Sequence, residues 1–518
     1  MDIRYFFRVI ASKGQKAHNE KSWLASLGLT LFGCTLFFSM PIEANSVETD
    51  SKNQKNVSEI TVPAIKPSKL GKPFFNAQSF TLKNGLTVYL VENHRTPVAG
   101  ITVVYRVGSS DDPRGKAGLA HFVEHMMFKG PKGSSHEKVM RDAESVGGSV
   151  NAVTSYDWTK YYEIVPKEYF ESFVKLESDR MRMIPARQED VTPEIQVVLE
   201  EESRSLGNNP ILQFIGAMEA AFFRHHPYGT LPIGYRSEIK AFSPEDVKAF
   251  HQAHYGPNNA FIMLSGDLTL DEAKSLMEKY FADIPRRGGW NDHNRNRVSE
   301  PPLNYNVIVE KSSDRVNTPY VRIQLPGFQA FPNHLDDADA LDAAIYALVN
   351  PTSGLLYLEL VEKQKVATFF SIQFNSDRVN ADSISIMTQA AENVSKEQLL
   401  DAFKTALERV VETGITQKQL DQIKKEILVS GDYIKDSLLS GSDHLITPII
   451  GGHDLKRYEH WHAYLDALTV DHVNAALKKY LSISNYVLGY LVPDETKPKT
   501  NQPINPAMMS ADTNPHSR

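Results

Sequence analysis

The stretch "GLAHFVEHMMFKG", residues 118–130, sets the reading of the whole chain. Its apolar residues recur at helical spacing, and on a helix positions i and i+4 share one face. His121 and His125 can therefore reach one ion, with Glu124 beside both. Polar groups do not enter an apolar helix face without a partner. Neutral imidazole and carboxylate suit zinc, and a catalytic zinc keeps three protein ligands and a water. Two histidines supply two ligands, so a third must come from elsewhere. Glu124 is best kept off the metal, where it can take a proton from a water whose pKa zinc has lowered.

A source of the third ligand lies downstream. "VTPEIQVVLEEESRSLGNNP" (191–210) holds Glu194, Glu200, Glu201 and Glu202 on an expected helix. Glu194 and Glu201 are seven apart, two turns, and share a face. Val197 and Val198 lie between them near that side, which turns it towards the core. Buried acidic residues need partners, and a zinc site would provide them.

Further out, the pattern is that of an α+β chain built twice. "SFTLKNGLTVYLVEN" gives two strands across the turn Asn84–Gly85. "GITVVYRVG" is another strand, "GGSVNAVTSYDWTKYYEIVP" a strand pair, and "AFIMLSGDL" a buried strand. Helices are expected over 117–129, 167–182 and 191–206. Residues 241–273 resemble 467–497: each is a helix opening at Ser243 or Thr469 as N-cap and leading into an apolar strand. Residues 394–431 parallel the helix pair at 167–206. A chain of 518 residues is too long for one core. The expected architecture is two homologous domains, each a sheet covered by helices on one side. Their bounds are 76–290 and 304–494, joined by a Gly-, Asn- and Pro-rich linker at 291–303, with a linker at 45–75 and a disordered tail at 495–518.

His-x-x-Glu-His is the inverzincin order, with the glutamate beside the second histidine. With Glu201 standing 76 positions after His125, the chain resembles the pitrilysin family of zinc metallopeptidases. "GGSVNAVTSYDWTKYYEIVP", "HPYGTLPIGY" and "HYGPNNAFIMLSGD" resemble family segments in the expected order, and the likeness spans residues 76–494. It is similar to the two-domain members that work as pairs of chains, among them the catalytic subunit of mitochondrial processing peptidase. The resemblance implies His121, His125 and Glu201 as zinc ligands, Glu124 as general base, and Glu194 as the carboxylate orienting a ligand histidine. It also implies that Asn151, Ala152 and Val153 lie on an exposed edge strand to which an extended peptide adds. The second domain has "ALDAAIYALVNPTSG" where the first has its zinc helix, so one Zn2+ per chain is expected.

Family members place an arginine and a tyrosine across from the zinc. Leu355 and Thr368 stand at those positions and cannot supply the hydrogen bonds. The expected partners are therefore peptide substrates and a homologous zinc-free chain carrying the pair. The alternative is a non-catalytic structural or peptide-binding subunit of an envelope complex.

The N-terminus reads as an export signal. Arg4, Arg8, Lys13, Lys16 and Lys21 precede "WLASLGLTLFGCTLFFSM", and Ala44 is a small residue suited to cleavage, which implies a periplasmic or otherwise exported protein. An uncleaved membrane anchor is the other reading, and the one that would bring membrane contact. The single cysteine, Cys34, lies inside this run, so a metal site in the rest must use His and carboxylates. A net charge of −7 leaves no basic surface for nucleic acid.

Overall fold

A computed structural model of the chain describes residues 60–129, 136–184, 186–288, 298–330, 333–374, 378–380, 382–434, 440–452, 455–482 and 485–496. The expected signal segment (1–44) and all but the first two residues of the expected tail fall outside this set. Eleven strands are described: β1 (Gln78–Thr81), β2 (Thr87–Glu92), β3 (Val98–Tyr105), β4 (Ser149–Thr154), β5 (Thr159–Pro166), β6 (Ala260–Gly266), β7 (Val307–Ser313), β8 (Tyr320–Pro326), β9 (Ala367–Phe374), β10 (Ser383–Ala390) and β11 (Val487–Pro493). The longer helices are α1 (Leu119–Met127), α2 (His136–Ser145), α3 (Lys167–Arg182), α4 (Gln188–Glu202), α5 (Pro210–Phe222), α6 (Pro244–His254), α7 (Leu270–Phe281), α8 (Leu335–Val349), α9 (Lys396–Thr413), α10 (Gln417–Ile434), α11 (Ser440–Ile450) and α12 (Val470–Tyr480).

The strands form two sheets, β1-β2-β6-β3-β5-β4 and β7-β11-β8-β10-β9. Without β1 the two orders superimpose position by position. The pairs β2–β6 and β7–β11 are parallel. Every other pairing in the matched part of both sheets is antiparallel. The expected repeat thus extends from sequence to topology. Ser243 and Thr469 are both N-caps, each accepting a hydrogen bond from the N–H three residues on.

One face of each sheet meets the helices of its own half. Leu90, Ile101, Val103, Ile262 and Leu264 pack against α1, α3, α4, α6 and α7. Val321, Ile323, Ile386 and Leu488 pack against α8, α9, α10 and α12. The opposite face of each sheet is covered by a helix from the other half. Ile211, Phe214, Ile215 and Met218 of α5 lie on Tyr320, Met387, Val487 and Leu491. Leu445, Ile446, Ile449 and Ile450 of α11 lie on Val104, Phe261 and Met263. Because both faces are covered, every residue of β6 is buried. Gly489 permits the α5 contact, since a Cβ there would stand 2.4 Å from Met218 Sδ and 2.5 Å from Phe214.

Two details depart from the sequence reading. Residues 60–75, read as linker, are instead a strap laid on the second half: Val62 and Ile65 sit in its core, and Phe74 packs on Trp461. The Glu459 carboxylate then accepts the N–H groups of Phe75, Asn76 and Ala77 before the chain enters β1. Apolar residues spaced through a Pro- and Lys-rich stretch anchor it without forming a regular element. On α4, Val197 is 48% exposed whereas Val198 is fully buried, so the core-facing stripe is Val191, Glu194, Ile195, Val198 and Leu199.

Candidate metal centre

Helix α1 is started by geometry instead of a side-chain cap on its N-cap residue. Gly118 adopts φ +91°, and a Cβ there would lie 2.6 Å from Ile233 O. The Asp112 carboxylate reaches in from the preceding loop and accepts from the N–H groups of Gly118 and Ala120, both at 2.7 Å. That carboxylate satisfies two of the donors a helix N-terminus leaves open. The helix buries Leu119, Ala120, Phe122, Val123, Met126 and Met127, and this fixes the direction in which His121 and His125 project.

They project towards α4. His121 Nε2 is 3.7 Å from one Glu201 carboxylate oxygen, and His125 Nε2 is 3.2 Å from the other. Ligand atoms of His121, His125 and Glu201 all lie within 4.8 Å of one another, and this is the single such cluster among the described residues. Zinc–ligand distances of about 2.0–2.2 Å place tetrahedral ligand atoms roughly 3.3 Å apart, which the two observed separations bracket. The donor set therefore fits the ion. Glu200, 69% exposed and paired with Arg204, points away; Glu202 pairs with Arg236.

Around these three sits an outer layer. Glu194 Oε1 is 2.9 Å from His125 Nδ1, and its other oxygen is paired with Lys129. Such a bond fixes the ring orientation and presents Nε2 to an ion. Burial works to lower the His125 pKa, but hydrogen bonds to Glu194 and Glu201 outweigh it and push the imidazole up to about 10. With carboxylates of Glu194 and Glu201 on its two ring nitrogens, the neighbourhood of His125 is electrostatically suited to a cation. Burial also works to raise Glu194, yet its bonds to His125 and Lys129 hold it below the usual carboxylate range.

Glu124 is placed differently. It is 6% exposed, and its Oε2 accepts from Thr154 Oγ1 at 2.5 Å. Burial pushes its pKa up to about 7, with His125 and Thr154 pulling the other way. A carboxyl group poised near neutrality can both take and return a proton.

Asn151, Ala152 and Val153 lie on β4, the end strand of its sheet. The Ala152 side chain is buried, and the Asn151 side chain accepts from the Ala152 N–H at 2.8 Å. In the second half, Leu355 opens a three-residue helix and packs on the core, while Thr368 is exposed on β9. Thr154, Lys129 and Asp112 escaped the sequence reading. Only Thr154 carried a signal, as the residue closing an expected strand next to Asn151.

Comparison with known proteins places this geometry. A profile described as Insulinase (Peptidase family M16) matches residues 87–232, and one described as Peptidase M16 inactive domain matches residues 241–427. The chain belongs to peptidase family M16. Among its M16 relatives, the zinc protease PqqE of Helicobacter pylori is 29% identical over 378 residues, covering 71% of this chain and 81% of that one. A crystal structure of a protease from Helicobacter pylori superimposes with a TM-score of 0.74 at 26% identity, over 81% of this chain and all of the other. The periplasmic protease PqqL of Escherichia coli shares the fold, with a TM-score of 0.66 at 18% identity over 86% of this chain and 50% of its own. The M16 relatives named zinc proteases support a protease role and zinc as the metal. No helix among the described residues is long and apolar enough to cross a membrane.

Proposed function

We propose that the chain is a zinc-dependent endopeptidase acting on extended or unfolded peptides. Residues 76–290 form its metal-bearing domain and 304–494 a metal-free counterpart. The observation that carries the reading is the convergence of His121, His125 and Glu201 beside a buried Glu124. His121, His125 and Glu201 hold one zinc ion, and Glu194 orients His125 through Nδ1. The bound ion supplies Lewis-acid polarisation of the scissile carbonyl and a lowered pKa for water. Glu124 takes the proton of the attacking water and returns it to the leaving amine, held in place by Thr154. A peptide pairs with the outer edge of β4, where the backbone of Asn151–Val153 gives affinity largely independent of sequence.

Leu355 and Thr368 leave the second half without an arginine and tyrosine to face the substrate. The working form is accordingly a heterodimer with a homologous zinc-free chain that carries them. The N-terminal basic and apolar run directs export, and the protein acts in the periplasm or outside the cell.

The test is cleavage of an unfolded reporter peptide by the purified chain, alone and with a partner candidate, alongside measured zinc content. Cleavage abolished by a chelator and restored by zinc is expected. A chain that binds zinc and captures the peptide uncut would be a binding subunit instead.

A further inference from the structure

The turn between β4 and β5 is gripped by the other half of the molecule. Residues Arg378–Asn380, between β9 and β10, reach across to it. The Val379 N–H donates to Asp157 Oδ2 at 3.2 Å, and the Tyr228 hydroxyl donates to the same oxygen at 2.7 Å. The Asn380 N–H donates in turn to the Tyr228 hydroxyl at 3.2 Å. The Arg378 guanidinium lies 4.4 Å from the Tyr156 ring centroid and 4.7 Å from that of Tyr228, and pairs with Asp382 at 2.7 Å. Tyr156, Asp157 and Tyr228 are all buried. A guanidinium seated against two buried rings, with most of its side chain shielded from water, is held in one orientation.

On its own side the turn is fixed from below. The N–H groups of Ser109 and Ser110 donate to the carbonyls of Ser155 and Tyr156. Thr154, two residues before Tyr156, carries the hydroxyl that holds Glu124. Among the described residues β4, the end strand, has β5 as its one strand neighbour, so its turn is one of the places where its position is set, and the one that the second half reaches.

We infer that Arg378 is a positioning residue: from the second half it fixes the β4–β5 turn, and through Thr154 it sets Glu124. The inference rests on the peptidase reading for its consequence, but the clamp itself can be measured without activity. The docking of the two halves then decides whether the general base is in place. The metal ligands lie on α1 and α4, outside the clamped turn.

The experiment uses the full zinc-loaded chain, with its partner if one is required. Arg378→Met is expected to keep its zinc and a KM within about twofold of wild type, and to lose at least tenfold in kcat. Arg378→Lys, which keeps a cation over the rings, should recover most of the loss. Arg378→Met combined with Thr154→Val should be no slower than Thr154→Val alone, because both act on one contact. Multiplying losses, or a lowered melting temperature with kcat unchanged, would overturn the inference. If Arg378→Met does not fold, Tyr228→Phe removes the hydroxyl linking Asp157 to Asn380 and should show the same kcat-selective loss; an unchanged kcat overturns it. Should wild type cleave nothing, amide exchange decides: at least tenfold faster exchange at Asn151–Thr154 in Arg378→Met supports the clamp, and unchanged exchange refutes it.

Discussion

Thr154 Oγ1 donates to Glu124 Oε2 at 2.5 Å, joining the last residue of the edge strand to the carboxylate beside the candidate ligands. Strand and base are thus set together. Thr154→Val keeps the volume and removes the donor. A hydrogen bond to a charged group contributes about 1.5–3 kcal/mol, so kcat should fall between roughly tenfold and a hundredfold. Zinc content should stay at wild-type level, as metal analysis of the purified variant would show. Unchanged kcat would mean that Glu124 does not depend on the Thr154 hydroxyl.

Glu124→Gln separates base from ligand. Zinc binding should persist, with a loss of roughly a hundredfold or more in rate, the usual scale for a general base. Zinc lost from this variant would put Glu124 on the metal.

The register of α4 has its own test. Glu201→Gln should weaken zinc binding sharply, and Glu194→Gln by about 10–100-fold, the usual cost of removing a partner behind a ligand. Glu200→Gln, at an exposed surface pair, should change neither metal affinity nor stability measurably. A competition titration with a chromophoric chelator would rank the three. Loss at Glu200 with retention at Glu201 would refute the assignment.

Acid should weaken the fold through two buried histidines. His226 is held down to about 4 by burial, and its Nδ1 accepts from the Tyr228 N–H. His251 is held down to about 3 by burial and by the charge of Arg287. In the unfolded chain both titrate near 6.5. Below that pH the unfolded state takes up protons that the folded state refuses, so stability falls as pH drops, until about 4 for His226 and about 3 for His251. Each histidine contributes a slope of up to about 1.4 kcal/mol per pH unit. Urea midpoints at pH 7, 6 and 5 should decline in wild type and decline less in His251→Gln. An identical slope in both would remove His251 from the account.

Much of the fold was legible because its signals are local. The Asn84–Gly85 turn, the helix over 167–182 and the cap at Ser243 follow from neighbours in sequence. The pairing of His121 with His125 followed from their shared helix face, whereas Glu201 was picked out from the neighbouring glutamates by the family resemblance, and the structure brings the three together. What escaped was brought together by tertiary packing. Lys129 meets Glu194 from 65 positions away, and Asp112 caps a helix from a loop. The strap at 60–75 has apolar residues, but Pro63, Pro67 and Pro73 break any helical or alternating spacing, so nothing local signals that Val62 and Ile65 anchor it to a core. The destinations of α5 and α11 were hidden for another reason: apolar spacing shows that a helix has a buried face, not which sheet receives it.

Those two helices carry a consequence for what the molecule can be divided into. Each half lends the other the lid of its sheet, in the manner of two protomers that have exchanged an element and been joined into one chain. Cutting near residue 300 and separating the pieces would strip Val104, Phe261 and Met263 on one side and Val487 and Leu491 on the other, leaving apolar sheet faces open to water. Each piece would carry one sheet face that its own helices do not cover. The two halves are therefore joined by exchanged cover as well as by the chain that connects them.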